Sequence, residues 1–263
     1  MGSEMCIRDS LSVSVVLLCA LLSAAGLAAE PMIKGICVLP AAQFDLRHCN
    51  FSGNSLVGAD LRKSDLRGVD LSNADLSRAD LRGADLRKAD LRWAKLIDAH
   101  LEGADLSKAD MFHVVADGAN LDDARLFKTN LFGALLNHVH AHDAELTQAY
   151  MKDVEMEGAD FTGATLRRVN LLRMVAMGTN FRGADLSYSK MTGAAAAGAD
   201  FTDARLVRAQ LNGADLQDAV FSGADTKGAD FSNASFEQTV DFGNILNAPP
   251  SLRNMVPAAQ NGR

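Results

Sequence analysis

The sequence predicts an all-β solenoid, a chain wound into stacked coils around a narrow core. Three observations lead there. Leu, Phe or Met returns at nearly every fifth residue, from Leu46, Phe51, Leu56 and Leu61 through to Leu216, Phe221, Phe231 and Phe236, with no insertion or deletion in the phase. A small residue stands two places before most of these, as at Ala74, Ala79, Ala84 and Ala89, and Asp or Asn sits between them in about half the units, as in Ala84-Asp85-Leu86. The chain of 263 residues is 48% hydrophobic but only 6% aromatic, and much of its apolar content is Ala, so bulky side chains are too few for a conventional core of that size.

Neither common secondary structure satisfies a period of five. A helix advancing about 100° per residue would scatter the Leu positions around its axis. A flat strand, with its period of two, would send successive Leu residues to opposite faces. A chain that turns the same way once per unit satisfies it. The central residue and the small residue two before it then always face inward, and four corners of about 90° close a coil. The tandem A-[DN]-L-x-x pattern resembles the pentapeptide-repeat family over roughly 44–239. That resemblance implies a right-handed quadrilateral parallel β-helix of about ten coils.

Two features within the repeats agree with the inward assignment. Where the central residue shrinks to Ala, the position two before it grows: Val114 with Ala116, Val139 with Ala141, Met174 with Ala176. This keeps the core volume constant. Phe161, Phe181, Phe201 and Phe221 are four units apart and should form one interior ladder.

The ends read differently. Leu11 to Leu22 is an apolar run followed by the small residues Ser23, Ala24, Ala25, Gly26, Ala28 and Ala29. Residues 1–29 therefore read as a cleaved export signal, cut between Ala25 and Glu30 and too short to span a bilayer. Arg8 is opposed by Glu4 and Asp9, so residues 1–10 look artefactual, and Cys19 lacks the preceding small residue of a lipid-anchor site. The mature chain is expected to be periplasmic or secreted, with no membrane span. Cys37 and Cys49 would remain after cleavage and are expected to pair as a disulfide within an N-terminal cap that includes 30–43. Beyond Thr239 the phase breaks, and 240–263, with Pro249, Pro250 and Pro257, reads as a cap and tail.

Composition narrows the chemistry. The formal charge of -7 leaves no basic surplus for nucleic acid. Asp60, Asp65, Asp70, Asp75, Asp80, Asp85 and Asp90 form a run of carboxylates. Some cytoplasmic members of the family the chain resembles mimic DNA and protect or inhibit DNA gyrase, so a DNA-mimicking topoisomerase modulator is the alternative reading. Against it, Arg62, Lys63, Arg67, Arg78, Arg82, Arg87, Lys88 and Arg92 share the segment, and gyrase is cytoplasmic. The tract His138-Val139-His140-Ala141-His142 has imidazoles at alternate positions and is the one metal candidate. No Cys accompanies it, and His100 stands two coils from His140, about 9.6 Å, too far to share an ion. The reading is solvated histidines, with no metal and no cofactor. No nucleophile elbow, phosphate loop or loop insertion is present, so an enzyme is not expected.

What remains is a structural or protein-binding scaffold. Its one localised candidate site is outward-facing and apolar. Phe112 and Phe132 should stack on the outside, Val115 and Leu135 on the next face and Phe127 on the preceding one, with Val175 and Met177 continuing the apolar character. Such a patch suits a protein partner or a homodimer.

Overall fold

Each five-residue unit has five backbone N–H groups that must find acceptors, and the way they do so defines the coil. In the computed structural model, which describes Cys37, 40–236 and 245–247, the unit Leu61-Arg62-Lys63-Ser64-Asp65 is typical. Leu61 donates to the Asp80 carbonyl of the next coil at 2.8 Å, Lys63 to that of Arg82 at 3.0 Å, and Asp65 to that of Phe44 in the coil before at 2.9 Å. Ser64 closes a tight turn on the Leu61 carbonyl at 3.2 Å. The Arg62 amide has no main-chain acceptor and donates to Asp60 Oδ1 at 3.3 Å.

The Asp or Asn before each central residue thus serves the one amide that coil stacking leaves over. Asn50 accepts from Ser52 at 2.8 Å, Asp75 from Ser77 at 3.1 Å, Asn120 from Asp122 at 2.9 Å and Asp160 from Thr162 at 2.9 Å. This is the Asx-turn chemistry of loops, repeated along a rod. The register is equally regular. Parallel bridges join Asp45 to Asp65, Asp60 to Asp80, and so on to Asp215 and Ser235, a step of four units, so four units make one coil.

The third residue of almost every turn from Gly53 to Asn233 has φ near +60°, as a type II turn requires. Lys63 at 55°, Arg78 at 58° and Tyr188 at 62° adopt it without being Gly. Such a residue costs roughly 1 kcal/mol, which its cross-coil hydrogen bond offsets.

Inside, the Leu and Ala columns are almost wholly buried, and the three compensating pairs lie there as expected, with Val114, Val139 and Met174 at 0–1% exposure. Phe161, Phe181, Phe201 and Phe221 stack with ring centroids 5.7, 5.2 and 4.9 Å apart. Thr129 and Thr179 replace Ala inside, and each hydroxyl donates to a carbonyl of the preceding coil, Leu106 at 2.8 Å and Met156 at 2.7 Å.

At the C-terminal end the ladder slips. Asp225 bridges Leu246, one residue beyond the regular step. Leu246 donates to Ala224 at 2.8 Å and accepts from Thr226 at 3.0 Å, so the last coil keeps its pairing despite the broken phase. The segment 1–29, most of 30–43 and most of 240–263 lie outside the described residues. No helix among the described residues is long and apolar enough to cross a membrane.

Removing one ring from the Phe ladder tests the inward assignment. Phe181→Ala should cost about 3–5 kcal/mol, whereas the outward Phe127→Ala should cost under about 1 kcal/mol. Urea unfolding followed by circular dichroism compares them, and equal losses would overturn the assignment.

Candidate interaction surface

One face abandons the Asp/Asn rule. Its ladder runs Lys95, Val115, Leu135, Glu155 and Val175, each bridged to the next. On that face part of the amide-capping work passes to a different residue. The Asn137 amide donates to Asp117 Oδ1 of the preceding coil at 2.9 Å, and Glu157 donates to Asn137 Oδ1 at 2.9 Å. Where His140 replaces Asp or Asn, the His142 amide likewise turns to Asp122 Oδ1 at 2.8 Å. This relayed capping leaves Leu135 free to be apolar, since an Asp there would only have served the Asn137 amide.

Beside that ladder lies an external aromatic column. Phe112 and Phe132 stack with centroids 5.5 Å apart, as expected, and Phe132 stacks on Tyr150 at 6.0 Å. Trp93 lies flat on the His113 ring at 4.5 Å and meets Phe112 edge-on at 5.5 Å. His113 in turn depends on Gly133, because a Cβ there would sit 2.5 Å from its ring. A groove of about 460 Å³ opens between column and ladder, lined by Trp93, His113, Val115, Phe132, Gly133, Leu135, Asp153 and Glu155. Trp93 is 54% exposed.

The structure therefore brings together Phe112, Phe132, Val115 and Leu135 and adds Trp93, His113 and Tyr150, which the sequence reading had left out. It does not extend the patch to Val175 and Met177. Glu155 stands exposed between Leu135 and Val175 in the ladder and interrupts the apolar run, a correction to the continuous patch expected. Phe127 is also separate, on the preceding face, with Lys128 Nζ 5.1 Å from its ring centre.

The other candidates have simpler roles. His142 is clamped between two carboxylates, Nδ1 2.9 Å from Asp122 and Nε2 3.1 Å from Asp160. Only an imidazolium can donate through both nitrogens. Burial pushes its pKa down, but the Asp160 hydrogen bond and the charges of Asp122 and Asp160 outweigh this and raise it above 6.5. The His140 ring lies 6.0 Å from that of His142, and His138 is exposed on a turn residue at φ 57°. With both its nitrogens engaged, His142 has none left for a metal shared with His140.

Within the acidic run, Arg62, Arg67, Arg82, Arg87 and Arg92 each grip the Asp two places before them through two side-chain bonds, as in Arg92 Nε to Asp90 Oδ1 at 2.8 Å. The guanidinium bonds hold the carboxyls of Asp60, Asp80 and Asp90 below the usual range against a smaller upward push from burial. The run is locally neutralised. At the N-terminal end Cys37 and Cys49 are joined, with Cα atoms 5.4 Å apart, and His48 Nε2 lies 3.7 Å from Cys49 Sγ.

Against this geometry, the family model described as pentapeptide repeats matches in eight copies, within residues 45–83, 74–111, 89–126, 129–168, 179–218 and 214–240. The chain belongs to the pentapeptide repeat family. No curated protein matches it. Among solved structures it is similar to HetL, a pentapeptide repeat protein involved in heterocyst differentiation regulation in the cyanobacterium Nostoc sp. strain PCC 7120. The likeness is at 30% identity over 73% of this chain and 89% of that one, with a TM-score of 0.44. It is also similar to QnrB1, a plasmid-mediated fluoroquinolone resistance protein, at 12% identity over 72% and 92%, with a TM-score of 0.42. A pentapeptide repeat protein of the Arabidopsis thaliana thylakoid lumen matches at 29% identity over 47% and 68%, with a TM-score of 0.19.

Two predictions follow from the capping and the histidine clamp. Asn137→Ala strips the Glu157 amide of its acceptor and should cost about 0.5–2 kcal/mol by urea unfolding, with Asn137→Asp close to wild type. An unchanged midpoint for the Ala variant would refute the relay. The clamp has a defined pH window. The raised His142 pKa makes its contribution full below about pH 6.5 and lost as pH rises through the folded-state value. The lowered Asp160 pKa makes its contribution present above 3.8 and lost as pH falls through its folded value. The stability gap between wild type and His142→Gln should thus be widest between pH 3.8 and 6.5 and shrink as pH rises through the folded-state value of His142. A gap that grew with pH would contradict the clamp.

Proposed function

We propose that this pentapeptide repeat protein is an exported, non-enzymatic rod that serves as a structural or protein-binding scaffold in the periplasm or outside the cell. The rod is a right-handed quadrilateral of about ten coils in this reading, as its family likeness implies. The observation that carries the binding role is the groove bounded by Trp93, Phe132, Val115 and Leu135. Aromatic anchors beside a concave apolar floor are the usual composition of a binding hot spot. The apolar segment 11–22 and the small residues after it support export, and the paired Cys37 and Cys49 suit an oxidising compartment. The neutralised acidic run weighs against a DNA mimic of gyrase or topoisomerase, which needs net negative potential along the rod.

Mass analysis of the protein from a periplasmic fraction should give an N-terminus between Gly26 and Glu30 and a Cys37–Cys49 linkage. Intact chain in the cytoplasm, or free thiols, would defeat the export reading. Phe112→Ser with Phe132→Ser should leave the fold intact and weaken protein binding by roughly thirtyfold. Inhibition of gyrase supercoiling by purified protein would overturn the scaffold reading in favour of the modulator.

A further inference from the structure

We infer that the protein occupying this groove is a second copy of the same chain, docked face to face and antiparallel. The inference rests on the groove being a protein-binding site. The ladder beside the groove runs Lys95, Val115, Leu135, Glu155, a cation and an anion one coil either side of an apolar pair. Lys95 and Glu155 are both exposed. Neither forms an ion pair or side-chain hydrogen bond among the described residues, although Asp75, one coil earlier, feels the Lys95 charge.

A two-fold axis lying in this face, and crossing the ladder between Val115 and Leu135, turns a second copy end for end. Lys95 then faces Glu155 of the second copy, Val115 faces Leu135 of the second copy, and both contacts recur at the other end. This is the self-complementary pattern an isologous interface needs. The neighbouring columns obey the same operation. Phe112 faces Phe132 of the second copy, and the His113 turn, whose ring covers Gly133 of its own chain, faces the Gly133 turn of the second copy. Trp93 faces Asp153 of the second copy, whose carboxylate is already paired with Arg173 at 2.7 Å, so the indole meets a neutralised ion pair through its face. A two-fold axis parallel to the rod would instead set Lys95 against Lys95 and Glu155 against Glu155. Charge pairing selects the antiparallel docking and one register.

Charge reversal tests both docking and register on the full-length protein by light scattering and sedimentation. Wild type should be dimeric. Lys95→Glu and Glu155→Lys should each weaken the dimer by roughly tenfold or more, because each sets like charges together at both ends. The doubly reversed protein should dimerise again. An equimolar mixture of the two single variants should form a heterodimer, since every contact then joins opposite charges. Trp93, the single tryptophan, should shift its emission to the blue on dimerisation. Wild type that stays monomeric at high concentration overturns the inference. If the monomer still binds another protein, and loses it with Phe112→Ser and Phe132→Ser, the scaffold reading stands and only the identity of the partner falls. Single variants that dimerise as well as wild type, or a mixture that does not associate, overturn the register.

Discussion

The amide left over by coil stacking is the constraint on which the rest of the rod depends. Three of the five N–H groups in a unit reach neighbouring coils and one closes the turn, so the fifth needs a side-chain acceptor close at hand. Asp or Asn one place before the central residue is short enough to supply it, and this fixes the polar position of the repeat. A carboxylate at every corner would load the rod with like charge. Arg at the very residue whose amide is capped answers this, as in Asp60 with Arg62 and Asp80 with Arg82, so one side chain satisfies backbone and charge together.

The same constraint decides where a binding face can arise. An apolar residue at the polar position abandons an amide, which costs free energy if the group is shielded from water. After Leu135 and Glu155, Asp117 and Asn137 cap the amides of Asn137 and Glu157 from the adjoining column, reaching forward one coil. The change is distributed over two columns. A single substitution of Asp by Leu elsewhere on the rod would lack this support.

Much of the fold was legible because each unit repeats one decision. Period, inward columns, compensating volumes and the interior Phe ladder all follow from residues at fixed offsets, and the external Phe112–Phe132 stack follows by the same count. Contacts between unlike positions were not legible. Trp93 and His113 hold the third place of their turns and the Phe pair the second, while Tyr150 precedes a central residue, so their contacts join places that a count of one position does not connect. Counting apolar residues along a face carried the patch on to Val175 and Met177, but Glu155 lies between, and one carboxylate is enough to end an apolar surface. The shift at Leu246 was hidden for another reason. A bridge needs only a main-chain donor and acceptor, so pairing persisted after the side-chain phase had broken.

A rod of stacked coils also restricts what can dock along its side. Neighbouring strands in any sheet lie about 4.8 Å apart, and side chains in one column inherit nearly that spacing. The interior Phe rings at 4.9–5.7 Å and the external Phe112–Phe132 pair at 5.5 Å follow it. A globular partner, whose surface residues follow no such pitch, would match one or two rungs and then drift out of step. Another rod has the same pitch by construction, so agreement at one rung carries along the whole face. Periodic matching alone would allow many registers, each displaced by one coil. The charges at Lys95 and Glu155 remove that freedom, because a displacement of one coil sets each of them against an apolar or like-charged rung. Pitch therefore favours a second copy as the partner, and two charged residues are enough to fix where it stops.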